Sequence, residues 1–329
     1  MTQFSIIICT YNPIDFVFKK LLNAIEKLNS EGIEHEILFI DNNSLIPLGN
    51  REFMSNFIER HSNAKIILES KPGLTSARIK GISEAKYKWL IFFDDDNEPA
   101  CDYLVKTSEA IIKYPQTAAW GASEVEVEYV DKPSEWLNKE KGIFQQRNDK
   151  FTIISNQSHW QECYPYGTGL IIQRQIALLY LERVIKERYT LTDRKGKSLS
   201  SGGDVQLVLT AIEQGFHAGV IAGLKIVHLI DSSKTSLRYL QRLQYGIASA
   251  YIKAFNQVFF QIPIPIEQVT NKRILVVIYG LFRIHKPVST KERFRLIVAA
   301  KMGELNARAE INPNRKPLLL KFYEKIIHV

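Results

Sequence analysis

Cysteine is scarce. Only Cys9, Cys101 and Cys163 occur in 329 residues, far apart and odd in number. No C-x-x-C or other metal-ligand spacing is present, and no disulfide framework is implied. A reduced, cytoplasmic compartment fits this usage. Cys9 lies in an apolar run and reads first as a small buried hydrophobe. Long apolar runs are also missing. The longest, Ile274 to Leu281, falls far short of the roughly 18–20 residues of a membrane span. The opening MTQFSIIICTYNP lacks the basic start and the roughly 7–15-residue apolar stretch of a secretion signal. There is no G-x-G-x-x-G and no Walker loop, which counts against dinucleotide oxidoreductases and P-loop kinases. No internal repeat or low-complexity tract appears.

What is present is an ordinary globular balance, 45% apolar and 24% charged. A chain of this length can bury one large α/β core, with or without an appended helical piece. The net charge of +8 is unevenly spread. Residues 225–329 carry 18 Lys and Arg against 6 Asp and Glu, a net of +12, whereas residues 1–224 carry 25 against 29, a net of −4. A basic C-terminal region suits an anionic membrane surface or a phosphorylated acceptor, or is an ordinary solvated face.

Short β-branched runs alternate with helical patterns. Phe4 to Cys9, Glu36 to Ile40, Lys65 to Leu68 and Trp89 to Phe93 read as buried strands. Between them, Phe16, Leu21, Leu22, Ile25 and Leu28 recur at helical spacing, Phe53 to Ile58 suggests a second helix, and Thr75 or Ser76 is a candidate cap for a third that runs to Ala85. This alternation predicts a mostly parallel, doubly wound sheet. Such sheets bind ligands beyond the carboxyl ends of their strands. The polar clusters TYNP, DNNS and DDDN stand at such ends.

A helix is expected over 101–113, and a half-exposed strand over Ala118 to Val130, where Glu124, Glu126 and Glu128 alternate with apolar residues. Residues 131–160, polar and rich in Lys, Asn and Gln, read as a mobile loop. Gly202-Gly203-Asp204 opens a helix that stops at Gly215, Val220 to His228 is a further strand, and the chain reads as helical from Ser236 onward.

Asp94-Asp95-Asp96 is the strongest chemical signal. Three adjacent carboxylates repel unless a cation or solvent relieves them. They suit Mg2+ or Mn2+, hard cations that take carboxylate and phosphate oxygens; the alternative is a solvated acidic turn. Asp41 suits a ribose or base contact, or an Asx turn. Arg78 suits a pyrophosphate, or is a plain surface arginine. Asp204 suits a general base, and a helix cap is compatible with that. Trp120, Trp136 and Trp160 suit sugar stacking less well than anchoring in core or loops.

The order of motifs resembles the family 2 glycosyltransferases of the GT-A fold. The matching pieces are SIIICTYNP (5–13), ILFIDNNS (37–44), KPGLTSARIKGISEA (71–85), WLIFFDDDNEP (89–99), YGTGLIIQR (166–174) and GGDVQL (202–207). The resemblance covers roughly residues 4–245 and implies a bacterial, surface-glycan type of enzyme. It implies that Thr10, Tyr11 and Asn12 line the nucleotide pocket, that Asp41 meets uracil or ribose, and that Arg78 sits near the diphosphate or base. Asp94 and Asp96 match the D-x-D carboxylates, with Asp94 and Asp95 counted at the nucleotide sugar and Asp94, Asp96 and His228 at the metal. Gly167, Thr168 and Gly169 would bring backbone close to donor sugar or acceptor, and Asp204 would be the general base. His228 is otherwise a satisfied interior or surface histidine.

Two departures from the family pattern stand out. Position 203 is Gly where many relatives carry Glu, so the base rests on Asp204 alone. The Q-x-x-R-W pattern of processive synthases is absent, Gln241 to Tyr245 being a loose echo, which favours transfer of a single sugar. The expected layout is a catalytic domain over 1–235, with its nucleotide half at about 1–100 and its acceptor half at about 101–235, followed by a helical basic extension over 236–329.

The resulting expectation is an inverting, metal-dependent glycosyltransferase that uses Mn2+ or Mg2+, a nucleotide-sugar donor with UDP favoured, and a glycan or lipid-linked acceptor, with no nucleic-acid partner. It would be cytoplasmic, at the inner face of the membrane if the basic segment Arg273 to Ile284 with Lys286, Lys291, Arg293, Arg295 and Lys301 touches lipid. A helix packed on the catalytic domain fits that segment equally. A non-catalytic nucleotide-sugar-binding protein and a sugar nucleotidyltransferase are the competing classes.

Overall fold

The computed structural model describes residues 2–194, 199–265, 268–285, 290–309 and 316–329. Contacts divide the chain into two compact units. One comprises Met1–Glu128, Phe144–Thr190 and Asp204–Ile230, the other Tyr129–Ile143, Leu191–Gly203 and Asp231–Val329.

The first unit opens as the periodicity predicts: β1 (Gln3–Thr10), α1 (Asp15–Glu26), β2 (Glu34–Asp41), α2 (Glu52–Arg60), β3 (Ala64–Leu68), α3 (Leu74–Glu84) and β4 (Trp89–Asp94). On α1, the buried Val17, Phe18, Leu21, Leu22 and Ile25 form one stripe, the helical spacing that buries a single face. Phe18 and Phe39 meet edge-on at 6.0 Å, and Phe39 meets Phe57 of α2 at 5.5 Å, a geometry that suits the ring quadrupoles. α3 begins two to three residues earlier than a Thr75 or Ser76 cap would place it. Gly73 precedes it with φ 121°, a backbone conformation that only glycine adopts without strain.

Then follow β5 (Asn97–Pro99), α4 (Tyr103–Lys113), β6 (Thr117–Tyr129), β7 (Arg147–Asn148), β8 (Ile153–Ser155), β9 (Leu170–Gln173), α5 (Arg174–Ile185), α6 (Gly203–Glu213) and β10 (His217–Ile230). Among the described residues the sheet runs β3-β2-β1-β4-β9-β6-β10-β5, with β7 on β6 and β8 on β10. The parallel arrangement holds for β3, β2, β1 and β4. Beyond β4, β9 pairs antiparallel with both β4 and β6, β7 with β6, and β5 and β8 with β10, so the sheet is mixed. The switch fits the sequence of β6, where Val125 and Val127 are buried and Glu126 and Glu128 exposed. A strand with one wet face belongs in an antiparallel sheet.

The stretch 131–160 is not simply a loop. It forms 3-10 turns over Glu135–Lys139 and Lys141–Phe144 and supplies β7 and β8. β8 lies against β10 where a Cβ on Gly219 would stand 2.1 Å from the Ile153 carbonyl oxygen. A glycine there permits the approach.

The second unit contains α7 (Leu237–Val258), α8 (Asn271–His285), α9 (Lys291–Ala309) and α10 (Leu318–Ile327). Ser236 caps α7, its hydroxyl accepting from the Tyr239 amide. α7 and α9 meet closely at Gly303, where a Cβ would lie 2.3 Å from the Tyr245 carbonyl oxygen. Tyr245, the end of the loose Q-x-x-R-W echo, is buried and donates to Glu324 at 2.6 Å. Asp193 accepts from the amides of Gly202 and Gly203 at 2.7 and 2.8 Å. Lys286 lies outside the described residues.

One glycine fixes the height of α3 above the sheet. A Cβ at Gly81 would stand 2.5 Å from Cγ2 of Ile7 and 3.4 Å from Ile40. Gly81→Val is therefore expected to lower stability by about 1–3 kcal/mol, read as an earlier urea midpoint. An unchanged midpoint would show that the helix can rise at no cost.

Candidate active site

The loops at the carboxyl ends of β1, β2 and β3 are stitched to one another. Asn12, with φ 50°, accepts from the Leu45 amide through its side chain at 2.7 Å, while its own amide donates to the Ser44 hydroxyl at 2.9 Å. Asparagine tolerates this left-handed conformation better than most residues. Asp41 turns both carboxylate oxygens onto its own loop, accepting from the amides of Ser44 at 3.0 Å and Leu48 at 2.8 Å. A carboxylate keeps lone pairs beyond those two. Asn42 clasps the next loop, donating to the carbonyls of Glu69 and Lys71 and accepting from the Gly73 amide at 2.7 Å. Thr10 is buried at the end of β1 and donates to the Asp95 carboxylate, while Tyr11 beside it is exposed.

The acidic turn after β4 is organised by Asn97. Its side-chain oxygen accepts from the Asp94 amide at 3.0 Å, and its side-chain nitrogen donates to Asp96 Oδ1 at 3.0 Å. Asn97 is fully buried. In the antiparallel pairing of β5 with β10 it stands opposite His228. That register carries the imidazole to the acids, with His228 Nε2 3.6 Å from Asp96 Oδ1. On the other side of the ring, Nδ1 lies 2.9 Å from the Phe144 carbonyl oxygen. A carbonyl only accepts, so Nδ1 carries a proton, and in the neutral ring the Nε2 lone pair points at the acid cluster.

A carboxylate and an imidazole held by a backbone carbonyl suit a divalent cation. Among the described residues no group of three or more His, Cys, Asp and Glu is gathered to hold a metal. Mg2+-type sites commonly use one or two carboxylates plus substrate phosphates. The donor set fits a cation that arrives with a phosphorylated ligand.

Gly167 marks a second convergence. A Cβ built there would lie 2.9 Å from Asp204 Oδ2 and 3.3 Å from Arg78 Nη2. The acid from the first turn of α6 and the guanidinium from α3 thus both adjoin one bare stretch of backbone, and both residues are buried. Two residues on, Gly169 has φ 70°, and its carbonyl accepts from the Tyr103 hydroxyl at 2.7 Å. Burial pushes the Tyr103 phenol upward, so it stays a donor. Among the described residues the buried Thr168 hydroxyl has no hydrogen-bond partner.

Cys9 links the two convergences. It pairs with Asp94 across β1 and β4. Burial above all raises its thiol, Arg78 pulls the other way, Asp94 and Asp95 add a smaller push upward, and together they bring it to about 12. One buried sulfur therefore senses the arginine and the acidic turn together.

Of the sequence-predicted residues, Thr10, Asp94, Asp95, Asp96 and His228 gather around the acidic turn, and Arg78, Gly167 and Asp204 gather around the loop before β9. Asn12 and Asp41 hold the loop framework. Trp120 is fully buried, 5.7 Å from the Tyr114 ring, so it cannot stack on a sugar. Trp160 packs edge-on against Tyr164 at 5.5 Å. Asn42, Asn97 and Tyr103 have structural roles at the site that the sequence reading missed. The first two directly adjoin predicted acids, which is the one available signal.

The sequence model described as glycosyl transferase family 2 matches residues 5–178. A cholesterol galactosyltransferase of Borreliella burgdorferi is 30% identical over 93 residues, which are 28% of this chain and 25% of that relative. The match thus spans a quarter of that relative's length. Among solved structures, a mannosyltransferase from Pyrobaculum calidifontis, in complex with GDP-Man and Mn2+, superposes with a TM-score of 0.53 at 14% identity, covering 98% of this chain and 78% of that one. S. aureus TarS 1-349 gives a TM-score of 0.46 at 14% identity, over 94% and 91%.

The thiols give a test of this interior. Cys101 is exposed, whereas Cys9 and Cys163 are buried and burial raises both thiols. At about pH 8 a thiol reagent is expected to modify Cys101 promptly and the other two only after denaturation. Prompt reaction of Cys9 in the folded protein would refute the packing beneath the acidic turn.

Proposed function

Because the chain belongs to glycosyl transferase family 2 and is a glycosyltransferase, we propose that it moves a sugar from a nucleotide diphosphate, UDP favoured, to an acceptor hydroxyl with inversion. The acceptor is a cell-surface polysaccharide or a glycolipid, and residues 1–235 are the catalytic part. The observation that carries the reading is the pair of opposite charges, Asp204 and Arg78, that both border the space a Cβ on Gly167 would fill.

The chemistry follows from that pair. The Asp204 carboxylate takes the proton of the acceptor hydroxyl as the oxygen attacks. The new bond forms at the anomeric carbon while the bond from that carbon to the phosphate oxygen breaks, and the electron pair leaves with the diphosphate. Attack opposite the leaving group inverts the centre, and no protein nucleophile is needed. Arg78 faces the charge that grows on the diphosphate. Asp94, Asp96 and His228 are the residues that would hold Mn2+ or Mg2+, which when bound would supply further charge neutralisation. Thr10, Tyr11, Asn12, Asp41, Asp94 and Asp95 line the nucleotide side. Gly167, Thr168 and Gly169 let the sugar approach the backbone, since a side chain at 167 would fill that space.

Two measurements test this. Asp204→Asn is expected to lower kcat by about 10²–10⁴-fold while leaving donor binding intact by calorimetry. Full turnover in that variant removes the base. Calorimetric titration with Mn2+ is expected to give strong binding only when UDP is present, and His228→Ala to weaken it roughly tenfold or more. Tight Mn2+ binding without nucleotide would contradict a site completed by phosphate.

A further inference from the structure

Two helices of the second unit carry apolar residues on the face that should be wet. Inward, Ile274 of α8 and Leu320 and Ile327 of α10 belong to one core with Tyr245, Met302 and Leu305. An outward face in water is ordinarily polar. Here α8 exposes Leu275, Val276, Tyr279 and Phe282, and α10 exposes Leu318, Phe322 and Ile326. The spacing places each set on one stripe, four residues apart along α10 and three to four apart along α8. The Leu319 amide donates to Asn271 Oδ1 at 3.1 Å, so the two helix starts adjoin.

Cations edge these stripes. Lys272, Arg273 and Arg283 of α8 and Lys321 and Lys325 of α10 are all exposed. The segment Asn271–His285 contains no acid. The one acid of α10, Glu324, is bound by Lys316 and Tyr245. Among the described residues no helix is long and apolar enough to cross a membrane.

We propose that the exposed stripes of α8 and α10 dock in the plane of a bilayer surface that carries anionic phospholipid. Apolar side chains enter the headgroup boundary and the lysines and arginines meet lipid phosphates. Lipid is favoured over a protein occupant because protein interfaces deplete lysine, whereas in-plane membrane helices place Lys and Arg beside Leu, Phe and Tyr. The tally of +12 over residues 225–329 supplies the charge complementarity. This inference does not depend on the transfer reading, because it concerns a surface that Asp204, Arg78 and the acidic turn do not share.

The test sediments the full chain with phosphatidylcholine vesicles, with and without phosphatidylglycerol. The protein is expected to pellet with the anionic vesicles only, less so as salt rises. Tyr279 and Phe322 are 63% and 62% exposed, so the double variant Tyr279→Ser/Phe322→Ser should keep the wild-type Tm and lose vesicle binding. Lys321→Ala and Lys325→Ala should each weaken binding roughly fivefold. Transfer to a soluble acceptor should be unchanged in all of these, which separates failure of this proposal from failure of the transfer reading. The proposal is overturned if wild type stays in the supernatant with anionic vesicles, or if the variants pellet as wild type does. It is equally overturned if light scattering shows a dimer that the double variant dissolves, because a second copy then covers the face.

Discussion

The buried side chain of Asn97 is the constraint on which the site depends. Three successive carboxylates would splay apart, and a loop that holds them needs fixed donors at fixed places. Asn97 supplies one such donor to Asp96 and takes the Asp94 amide in return. The same residue is paired in the sheet with His228. One residue thus sets both the shape of the turn and the identity of its neighbour across the sheet. Without that register, the histidine and the acid, more than 130 positions apart in the chain, would have no reason to meet.

Much of the first half of the fold was legible. The strands Phe4 to Cys9 and Trp89 to Phe93 and the helix stripes of α1 and α3 appear within a few residues of their predicted ends. Each element there buries a simple periodic face, which is the pattern that sequence reading detects. The antiparallel half was less legible, because its pairings are set by partners far along the chain. β7 and β8 are two and three residues long; they exist because β6 and β10 offer edges, and no local periodicity marks them. At the site, acids and glycines were visible as residue types. The clasping work of Asn42 was not, since its partners at Glu69, Lys71 and Gly73 are specified by the fold alone.

The glycine at position 203 shows how a departure from a family pattern is absorbed. With no acid there, one carboxylate remains at the start of α6. It is held in the first helical turn, where the orphan amides of a helix start favour negative charge. Just before it, the amides of Gly202 and Gly203 are taken by Asp193. A Cβ at Gly202 would stand 1.9 Å from the Leu191 side chain, so the segment leading into Asp204 is shaped by what its residues lack. The sequence showed the two glycines but not the aspartate ten positions earlier that fixes them.

Charge separation along the chain ties the two proposals together. The part bearing the acidic turn has a net charge of −4, and a diphosphate donor makes the loaded site more negative still. Such a body is repelled by an anionic bilayer, the surface on which a lipid-linked acceptor resides. The net +12 of residues 225–329 reverses that balance. Exposed apolar stripes then convert a diffuse attraction, which salt would screen within about 10 Å, into contact. Holding enzyme and acceptor on one surface raises the acceptor's effective concentration without any new contact at the reacting atoms. Under the two proposals a weak acceptor site would suffice, and specificity for the sugar would rest on the donor side, beside Arg78 and Gly167.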